Sequence, residues 1–312
     1  PAFTPYIPAF TAGYIPARAP ILVRIAENQT WLDSSQAALQ ELFELDPGVK
    51  GTVSWQGHLT LAFQPNERLA SDKTYEVTFH LGRLIEVPSA LKDFRFHVST
   101  FKQGIDTRIS DLRALSTTDL TWSQLLLAVY TSDDATGQDL EGCFTATQEG
   151  RSLHMTWDHE PNGRFHRLLV DSVMRGEQAS HVMITWNAER IGSSDKGEKD
   201  FEVPAIGDLR LVNSQTFSDG EQKAELIFSD PLDAGQDLAG LAGIANVDQV
   251  RLAVEGNKLL IWPQDRLRGK HEAFVAAGLQ NVNGKKLGQE ITVELEFEEL
   301  KPSVRMAGTG TI

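Results

Sequence analysis

The sequence predicts an all-β protein made of tandem immunoglobulin-like β-sandwich domains. Three observations predict this fold: apolar and polar residues alternate with a period of two in many short segments, helical periodicity is scarce, and one strand-turn-strand unit occurs twice. The clearest alternation runs from Tyr75 to Leu81, where every odd-numbered residue is apolar and the intervening residues are polar. A segment with one apolar and one solvated face is typical of a strand in an antiparallel sandwich.

Other segments repeat this alternation or are short apolar runs bounded by turn residues. These strand candidates are Ile21–Ile25, Thr52–Trp55, Leu59–Phe63, Phe94–Val98, Gln124–Tyr130, Phe165–Val170, Val182–Trp186, Leu209–Val212, Ala224–Phe228, Lys258–Trp262 and Ile291–Glu298. Helical spacing favours one helix over Gln36–Leu45, with Ser34 or Ser35 as its N-cap, and a short second helix over Asp237–Leu241.

The internal repeat pairs Val53–Leu69 with Leu252–Leu267. Each copy reads as a strand, a glycine turn, a strand ending in an aromatic residue, and then Pro-x-acid-Arg-Leu. A tight hairpin needs a residue with a positive φ angle, so we expect positive φ angles at Gly57 and Gly256.

The residues after each hairpin also correspond. Proline ends a strand, which predicts strand ends at Pro65 and Pro263. Leu69 and Leu267 are then expected to anchor the following loop to the core.

The repeat and the strand spacing predict three domains. Residues 1–101 and 205–300 form two copies of one sandwich type, and residues 102–204 form a second, divergent sandwich between them. Residues 301–312 are expected to begin a following domain. Because the connections are short, neighbouring domains should be tightly coupled.

Composition narrows the possible partners of the chain. Its 312 residues include 29 basic and 43 acidic side chains, a formal net charge of -14 that disfavours nucleic acid and anionic membrane surfaces. One cysteine, Cys143, excludes an internal disulfide. We also find neither a signal peptide nor the roughly 20-residue apolar run that a membrane span needs.

Local signatures of the main enzyme classes are missing, which predicts a protein without catalytic residues, cofactor or metal. The densest polar cluster, His154–Glu160, offers conceivable zinc ligands, but a strand running into a turn explains it better. Ser132–Asp139 is acidic without the ligand spacing of a calcium loop, so it is interpreted as a solvated hairpin end. Cys143 is expected to be a small buried hydrophobic residue.

Short patterns and tryptophans add two weaker hypotheses. Asn28–Thr30 fits a eukaryotic N-glycosylation sequon, and Asp171–Val173 fits an acceptor pattern for bacterial O-glycosylation, although both patterns are common by chance. Tryptophans on or beside strands favour a sandwich core over a sugar-binding platform. These tryptophans are Trp55, Trp122, Trp157, Trp186 and Trp262.

Gly51–Leu69 followed by Thr74–Thr78 resembles the bacterial Ig-like domain found in tandem in envelope proteins. Together with Phe10–Ile15, Ile227–Asp233 and Lys301–Arg305, the whole chain resembles the N-terminal region of the alpha-2-macroglobulin-like proteins of Bacteroidota. This resemblance implies that residues 102–204 are a macroglobulin-type sandwich. It also implies a very long exported protein, commonly lipid-anchored in the envelope, that entraps proteases after cleavage of a bait segment.

The thioester cysteine with its Glu-Gln motif has no counterpart here, so no functional residue is carried over from that family. The resemblance therefore implies a non-enzymatic scaffold segment in the periplasm or in an outer-membrane lipoprotein. Its partners would be the other domains of a longer chain and, through the full-length protein, proteases. The alternative is an Ig-like binding module or adhesin for a glycan or a host protein.

Overall fold

The computed structural model describes residues 2–32 and 35–299, and its strands form three β-sandwiches in chain order. The first sandwich contains β1 (Ala9–Phe10), β2 (Gly13–Ile15), β3 (Ile21–Arg24), β4 (Phe43–Asp46), β5 (Gly51–Trp55), β6 (Thr60–Pro65), β7 (Thr74–Phe79) and β8 (Phe94–Thr100). It also carries α1 (Gln36–Leu39), α2 (Leu81–Leu84) and a 3-10 turn at Ser89–Leu91.

The second and third sandwiches follow without long connections. The second contains β9 (Ile105–Ala114), β10 (Trp122–Thr131), α3 (Gly137–Glu141), β11 (Phe144–Gln148), β12 (Arg151–Ser152), β13 (Met155–His159), β14 (Phe165–Met174), β15 (Ser180–Asn187), a 3-10 turn (Ala188–Ile191) and β16 (Lys196–Val203). The third contains β17 (Leu211–Phe217), β18 (Lys223–Phe228), β19 (Ala242–Ile244), β20 (Val250–Glu255), β21 (Lys258–Pro263), β22 (Gly269–Val275) and β23 (Ile291–Phe297).

Sheet order identifies the fold as immunoglobulin-like. In the first sandwich the sheets run β1-β3-β6-β5 and β4-β7-β8-β2, and in the third they run β17-β18-β21-β20 and β19-β22-β23. With strands lettered A to G, both have an A-B-E-D sheet facing a C-F-G sheet, the order of the constant-type immunoglobulin fold. The prediction that the repeated hairpins belong to one shared topology is confirmed.

The second sandwich keeps the A-B-E-D sheet, as β9-β10-β14-β13, and adds the edge strand β12 beside strand C in its other sheet. Each sandwich encloses its own cluster of buried apolar side chains. Representative members are Val23 and Val77 in the first, Leu127 and Ile184 in the second, and Leu226 and Val275 in the third. Among the described residues, no helix is long and apolar enough to cross a membrane.

The helix predicted over Gln36–Leu45 is wrong beyond its first turn. Ser35 does cap α1, since its hydroxyl accepts a hydrogen bond from the Ala38 N–H at 3.4 Å, whereas Ser34 lies outside the described residues. The helix ends at Leu39 because the Gln40 side chain bonds both backbone groups of Val53 on β5, at 2.8 and 3.0 Å. A turn at residues 40–42 follows, and the segment then enters β4 at Phe43, which pairs with β7.

The helix predicted over Asp237–Leu241 is also wrong, because the segment is a pair of turns. The Asp237 carboxylate accepts the Ala239 N–H at 3.0 Å, and Gly240 has a φ of 71°. An Asx turn followed by a left-handed residue diverts the chain before a helical turn can propagate. The start of a following domain, predicted at residues 301–312, lies outside the described residues.

The two repeated hairpins form as predicted. Gly57 and Gly256 have φ angles of 75° and 61°, and β6 and β21 end at their prolines. Leu69 is buried in the first core, and Leu267 is half-buried against the third.

Replacing Gly256 with valine should lower the free energy of unfolding of the third sandwich by about 1 kcal/mol or more. A Cβ atom at this position meets no neighbour within 4 Å, so the cost arises from the positive φ and not from a clash. Chemical denaturation of both proteins measures the difference. Glu255→Val places the same side chain on the adjacent exposed strand residue and should be nearly neutral, and equal stabilities of the two variants would contradict the assignment.

Candidate functional site

A buried ion pair joins the first sandwich to the second. The Asp133 side chain is fully buried, and its Oδ2 accepts hydrogen bonds from Arg68 Nη2 and from the backbone N–H of Ala17, both at 2.9 Å. Arg68 also donates to the backbone carbonyl of Asp134 at 2.6 Å. The first sandwich therefore supplies both a cation and a backbone donor to a carboxylate of the second.

The connection between these two sandwiches is fixed by Gln103. Its side-chain amide bonds both backbone groups of Asp133, at 2.9 and 3.1 Å, and the Ser193 hydroxyl donates to its carbonyl at 2.7 Å. Gln103 is 2% exposed, so these bonds are made where water does not compete. The linker is thus part of the packed interface.

The interpretation of Ser132–Asp139 as a solvated hairpin end is wrong at Asp133. The loop lies against the first sandwich, and the Asp133 carboxylate is the counter-charge of Arg68. Burial raises the pKa of Asp133, although the N–H donors of Ala17 and Asp134 act in the opposite direction. Acidic loop residues look solvated in a sequence because the cation that pairs with them lies far away in the chain.

A second buried ion pair joins the second sandwich to the third. Arg175 and Asp230 are both fully buried and form a short ion pair through Arg175 Nη1. The guanidinium also donates to the carbonyls of Pro204, Ser229 and Ala205, at 3.0, 3.2 and 2.8 Å. All of its nitrogens are therefore used, as a buried guanidinium requires.

Side-chain amides complete the second junction. Asn281 donates to the second Asp230 oxygen at 2.6 Å. Asn257, in the D-E hairpin of the third sandwich, donates to the Asp111 carboxylate at 2.6 Å and to the Leu112 carbonyl at 3.2 Å. Asp111 and Leu112 both lie on β9 of the second sandwich, so the hairpin tip is held against that sandwich.

The two junctions share one arrangement. Asp133 lies two residues beyond the end of β10, and Asp230 lies two residues beyond the end of β18; both strands are strand B of their sandwich. Each pairs with an arginine that follows strand E of the preceding sandwich. The recurring Ser-Asp dipeptide after strand B was the sequence signal that could have located these sites.

An aromatic cleft opens on the first sandwich. It has a volume of about 540 Å³ and is lined by Trp31, Trp55, Glu27, His58 and their neighbours. The two indole rings meet edge to face, with centroids 5.7 Å apart, and Trp31 is 39% exposed. Trp31 was not among the tryptophans singled out from the sequence, because it lies in a loop and not on a strand.

The other tryptophans have different surroundings. Trp157 and Trp186 pack around Phe144, at centroid distances of 5.1 and 5.9 Å, as part of the second core. Trp122 and Trp262 each lie beneath an arginine guanidinium, 5.8 and 4.1 Å from the ring centroid. Only Trp55 therefore faces the cleft among the five that the sequence analysis named.

The residues of His154–Glu160 do not converge on one point. His154 is exposed and contacts Asp171 at 3.4 Å, whereas Asp158 and Glu160 pair with Arg167 on β14. Among residues 2–32 and 35–299, no group of three His, Cys, Asp or Glu side chains is arranged to hold a metal ion. The alternating directions of strand residues explain the divergence.

His159 pairs instead with the buried His166. Its Nε2 donates to Glu141 at 3.0 Å, which leaves its Nδ1 to accept the Nδ1–H of His166 at 2.7 Å. His166 is fully buried, and its Nε2 has no hydrogen-bond partner in the described part of the chain. Burial, reinforced by the neighbouring His159, lowers the pKa of His166 to about 4.

Cys143 is a buried free thiol, as expected for a small hydrophobic residue. Its Sγ donates to the Asp139 carbonyl at 3.3 Å, and burial raises the pKa of the thiol. A protonated buried thiol is a poor nucleophile.

Both candidate glycosylation patterns include an exposed residue in the left-handed region. Asn28 has a φ of 60° and lies in the loop after β3, and Ser172 has a φ of 58° within β14.

Comparison with known proteins gives structural neighbours only. No protein-family model and no curated protein sequence matches the chain. Among solved structures, this chain is similar to the Bacteroides ovatus protein SGBP-B in complex with a mixed-linkage heptasaccharide. The two sequences are 10% identical, and the match covers 93% of this chain and 66% of that chain with a TM-score of 0.27. The chain thus spans slightly less than two thirds of that protein.

Two further neighbours are tandem immunoglobulin-domain ectodomains. The ICAM-5 D1–D4 fragment has 12% identity, with 91% of this chain and 74% of that chain covered and a TM-score of 0.26. The full ectodomain of mouse nectin-like molecule 4 has 8% identity, with 94% of this chain and 99% of that chain covered and a TM-score of 0.27. The fold assignment rests on the sheet topology described above.

Replacing Arg175 with alanine should destabilise the junction between the second and third sandwiches by about 3 to 5 kcal/mol, because it leaves the buried Asp230 carboxylate without its cation. Urea unfolding, followed by fluorescence, measures the loss. Arg83→Ala is the matched control, since Arg83 pairs with Glu41 on the surface at 2.9 Å and should contribute less than about 1 kcal/mol. Equal effects of the two substitutions would contradict the role assigned to Arg175.

The histidine pair predicts an acid-sensitive second sandwich. Because the pKa of His166 falls from 6.5 in the unfolded chain to about 4 in the folded protein, the unfolded state binds the proton more tightly. Stability from this residue is therefore complete above pH 6.5 and should decline by about 3 kcal/mol as the pH falls to about 4.

Denaturation series across this pH range measure the slope for the parent and for His166→Gln. The variant should lose this part of the pH dependence, whereas His154→Gln, which alters an exposed histidine, should retain it. A parent slope unchanged by His166→Gln would show that other groups cause the acid sensitivity.

Proposed function

We propose that this chain is a non-enzymatic scaffold segment of an envelope alpha-2-macroglobulin-like protease inhibitor. The observation that carries the scaffold role is the pair of buried arginine-aspartate junctions, Arg68 with Asp133 and Arg175 with Asp230. The sequence resemblance supplies the protein class. In this proposal the segment itself contributes no catalytic residue and no cofactor.

Junction chemistry supports rigid spacing of the three sandwiches. Only residues 101–104 separate β8 from β9, and residues 204–210 separate β16 from β17. Both connections carry buried hydrogen bonds, through Gln103 in the first and through the carbonyls of Pro204 and Ala205 in the second. Hinge motion at either site would expose a charged pair and break these bonds together, which is costly.

A rigid segment fits the mechanics of a protease trap. A trap that closes after bait cleavage moves whole domains, and such movements are transmitted by elements that do not bend. The partners of the segment are then the remaining domains of a longer polypeptide, and proteases engage the full-length protein. The proposed location is the periplasm or an outer-membrane lipoprotein.

A second candidate function is that of a binding module or adhesin for a glycan or a host protein. The cleft between Trp31 and Trp55 favours it, because an exposed and a half-buried indole ring beside polar groups can stack on a sugar. This candidate requires a surface that binds a ligand, whereas the scaffold requires only fixed geometry.

Fixed geometry can be measured by double electron-electron resonance. Spin labels at Ser54→Cys on the first sandwich and Thr292→Cys on the third, in a Cys143→Ala background, should give one narrow distance distribution. Replacing Arg68 and Arg175 together with alanine should broaden it, because both junctions lose the cation that the preceding sandwich supplies. Both labelled positions are exposed strand residues.

The control pair is Arg83→Ala with Arg251→Ala, which removes two arginines from exposed ion pairs and should leave the distribution narrow. A broad distribution in the parent would exclude a rigid spacer. Circular dichroism of each variant shows whether the sandwiches remain folded.

A further inference from the structure

The β13–β14 hairpin of the second sandwich holds the loop that carries Asp133 at the first junction. The carbonyl oxygen of Gly163, at the hairpin tip, accepts the Ala135 N–H at 2.8 Å and the Thr131 hydroxyl at 3.2 Å. Asp133 lies midway between these two donors in the chain. Since a carbonyl oxygen has two lone pairs, both are used to fix the segment that supplies the junction carboxylate.

The hairpin tip also packs tightly against this loop. Gly163 has a φ of 64°, and a Cβ atom added there would lie 3.3 Å from both the Ala135 carbonyl oxygen and the Cβ of Asp134. The next residue, Arg164, places its Nη2 3.8 Å from Asp133 Oδ1. A displacement of the tip would therefore disturb the loop and its carboxylate.

The histidine pair lies in the same hairpin. His159 and His166 are opposite each other in the β13–β14 register, and His166 is three residues beyond Gly163. In the neutral pair, one proton lies between the two Nδ1 atoms and another between His159 Nε2 and Glu141. His166 Nε2 is then the nitrogen of the pair that has no hydrogen bond among the described residues.

An additional proton on the pair leads to an N–H at His166 Nε2. It can bind this nitrogen directly, or it can bind His159 Nδ1, in which case His166 Nδ1 must become the acceptor and the His166 proton moves to Nε2. Burial and the neighbouring His159 lower the pKa of His166 to about 4, whereas the Gly163 carbonyl opposes this shift because it favours the charged ring. The carbonyl that holds the Asp133 loop is thus an acceptor for the new N–H.

Most other charged groups on the elements packed against the pair are held in ion pairs. These ion pairs are Glu141 with His159, Asp139 with Arg18, Asp158 and Glu160 with Arg167, and Asp133 with Arg68 and Arg164. Asp158 and Arg167 point to the opposite face of the sheet, because neighbouring strand residues alternate in direction. Asp134 forms no ion pair in the described part of the chain and adjoins Asp133. Burial raises the pKa of Asp133, so its own protonation is the competing cause of an acid effect at this junction.

We propose that the β13–β14 hairpin is a proton-sensitive clamp on the first junction. When the histidine pair takes up a proton, the new N–H of His166 competes for the Gly163 carbonyl, and a charge-assisted hydrogen bond is stronger than the neutral bonds from Ala135 and Thr131. Loss of those bonds frees the Asp133 loop, and the first sandwich gains freedom to move relative to the second.

The second junction should stay fixed under the same conditions. It is formed by the ion pair of Arg175 with Asp230 and by the amides of Asn257 and Asn281, none of which is a histidine. The clamp therefore predicts that acid acts on one junction and not on the other. This inference goes beyond the scaffold role, which concerns the geometry at neutral pH.

Double electron-electron resonance with two label pairs tests the clamp at pH 7 and pH 4. Ser54→Cys with Glu198→Cys reports the first junction, and Glu198→Cys with Thr292→Cys reports the second. All three are exposed strand residues, and Cys143→Ala removes the native thiol. Both distributions should be narrow at pH 7. At pH 4, where about half of the His166 rings are protonated, the first distribution should broaden and the second should stay narrow while circular dichroism remains native.

Four variants separate the causes. His166→Gln cannot take up the proton, so its first distribution should stay narrow at pH 4, whereas His154→Gln, which alters an exposed histidine, should behave as the parent. Gly163→Ala should broaden the first distribution already at pH 7, because its Cβ pushes the tip away from the loop. Gly150→Ala is the matched control, since Gly150 also has a positive φ, 77°, but a Cβ atom there meets no neighbour within 4 Å.

A first distribution that stays narrow at pH 4 in the folded parent overturns the proposal. Broadening that His166→Gln retains would assign the acid effect to Asp133 itself, and equal broadening at both junctions would assign it to a general loosening of the second sandwich; both results also overturn the clamp. If His166→Gln does not fold, a narrow first distribution in Gly163→Ala at pH 7 still excludes the hairpin tip as the clamp. The scaffold proposal is judged by the parent at pH 7 and is independent of these outcomes.

Discussion

The arrangement of the three sandwiches depends on a carboxylate placed two residues beyond strand B and paired with an arginine of the preceding sandwich. Asp133 and Asp230 are fully buried, so each needs its cation and its additional donors to be stable as a carboxylate. A hydrophobic contact would tolerate small rotations between domains. A buried ion pair with several directional hydrogen bonds does not, and it therefore specifies one relative orientation.

Immunoglobulin topology explains why this position is suited to a junction. The loop after strand B and the D-E hairpin lie at one end of a sandwich, whereas the loop after strand E lies at the other. In consecutive domains these two ends face each other. The second sandwich, whose sequence diverges from its neighbours, uses the same positions, with Arg175 as donor and Asp133 as acceptor. The junction geometry is thus kept although the Pro-x-acid-Arg-Leu unit is absent there.

Charged side chains have different surroundings at the junctions and on the rest of the surface. Asp133, Arg175 and Asp230 are buried and hydrogen-bonded at the junctions, whereas Glu27 of the first sandwich and Arg266 of the third are exposed. The buried His166 and its partner His159 lie in the second sandwich, and the lowered pKa of His166 makes that sandwich sensitive to acid.

The sequence by itself determined the sandwich class, most strands and the repeated hairpins, because side-chain alternation and glycine or proline conformational limits act within a few residues. It misassigned Gln36–Leu45, since the Gln40 contact with Val53 that ends α1 is made with a separate strand. Only the tertiary structure revealed the function of Asp133, whose partner Arg68 is 65 residues away in the chain. Burial and pairing of charges depend on which distant surfaces meet. The Ser-Asp dipeptide after strand B marks the position of each carboxylate, but it does not identify the arginine that pairs with it.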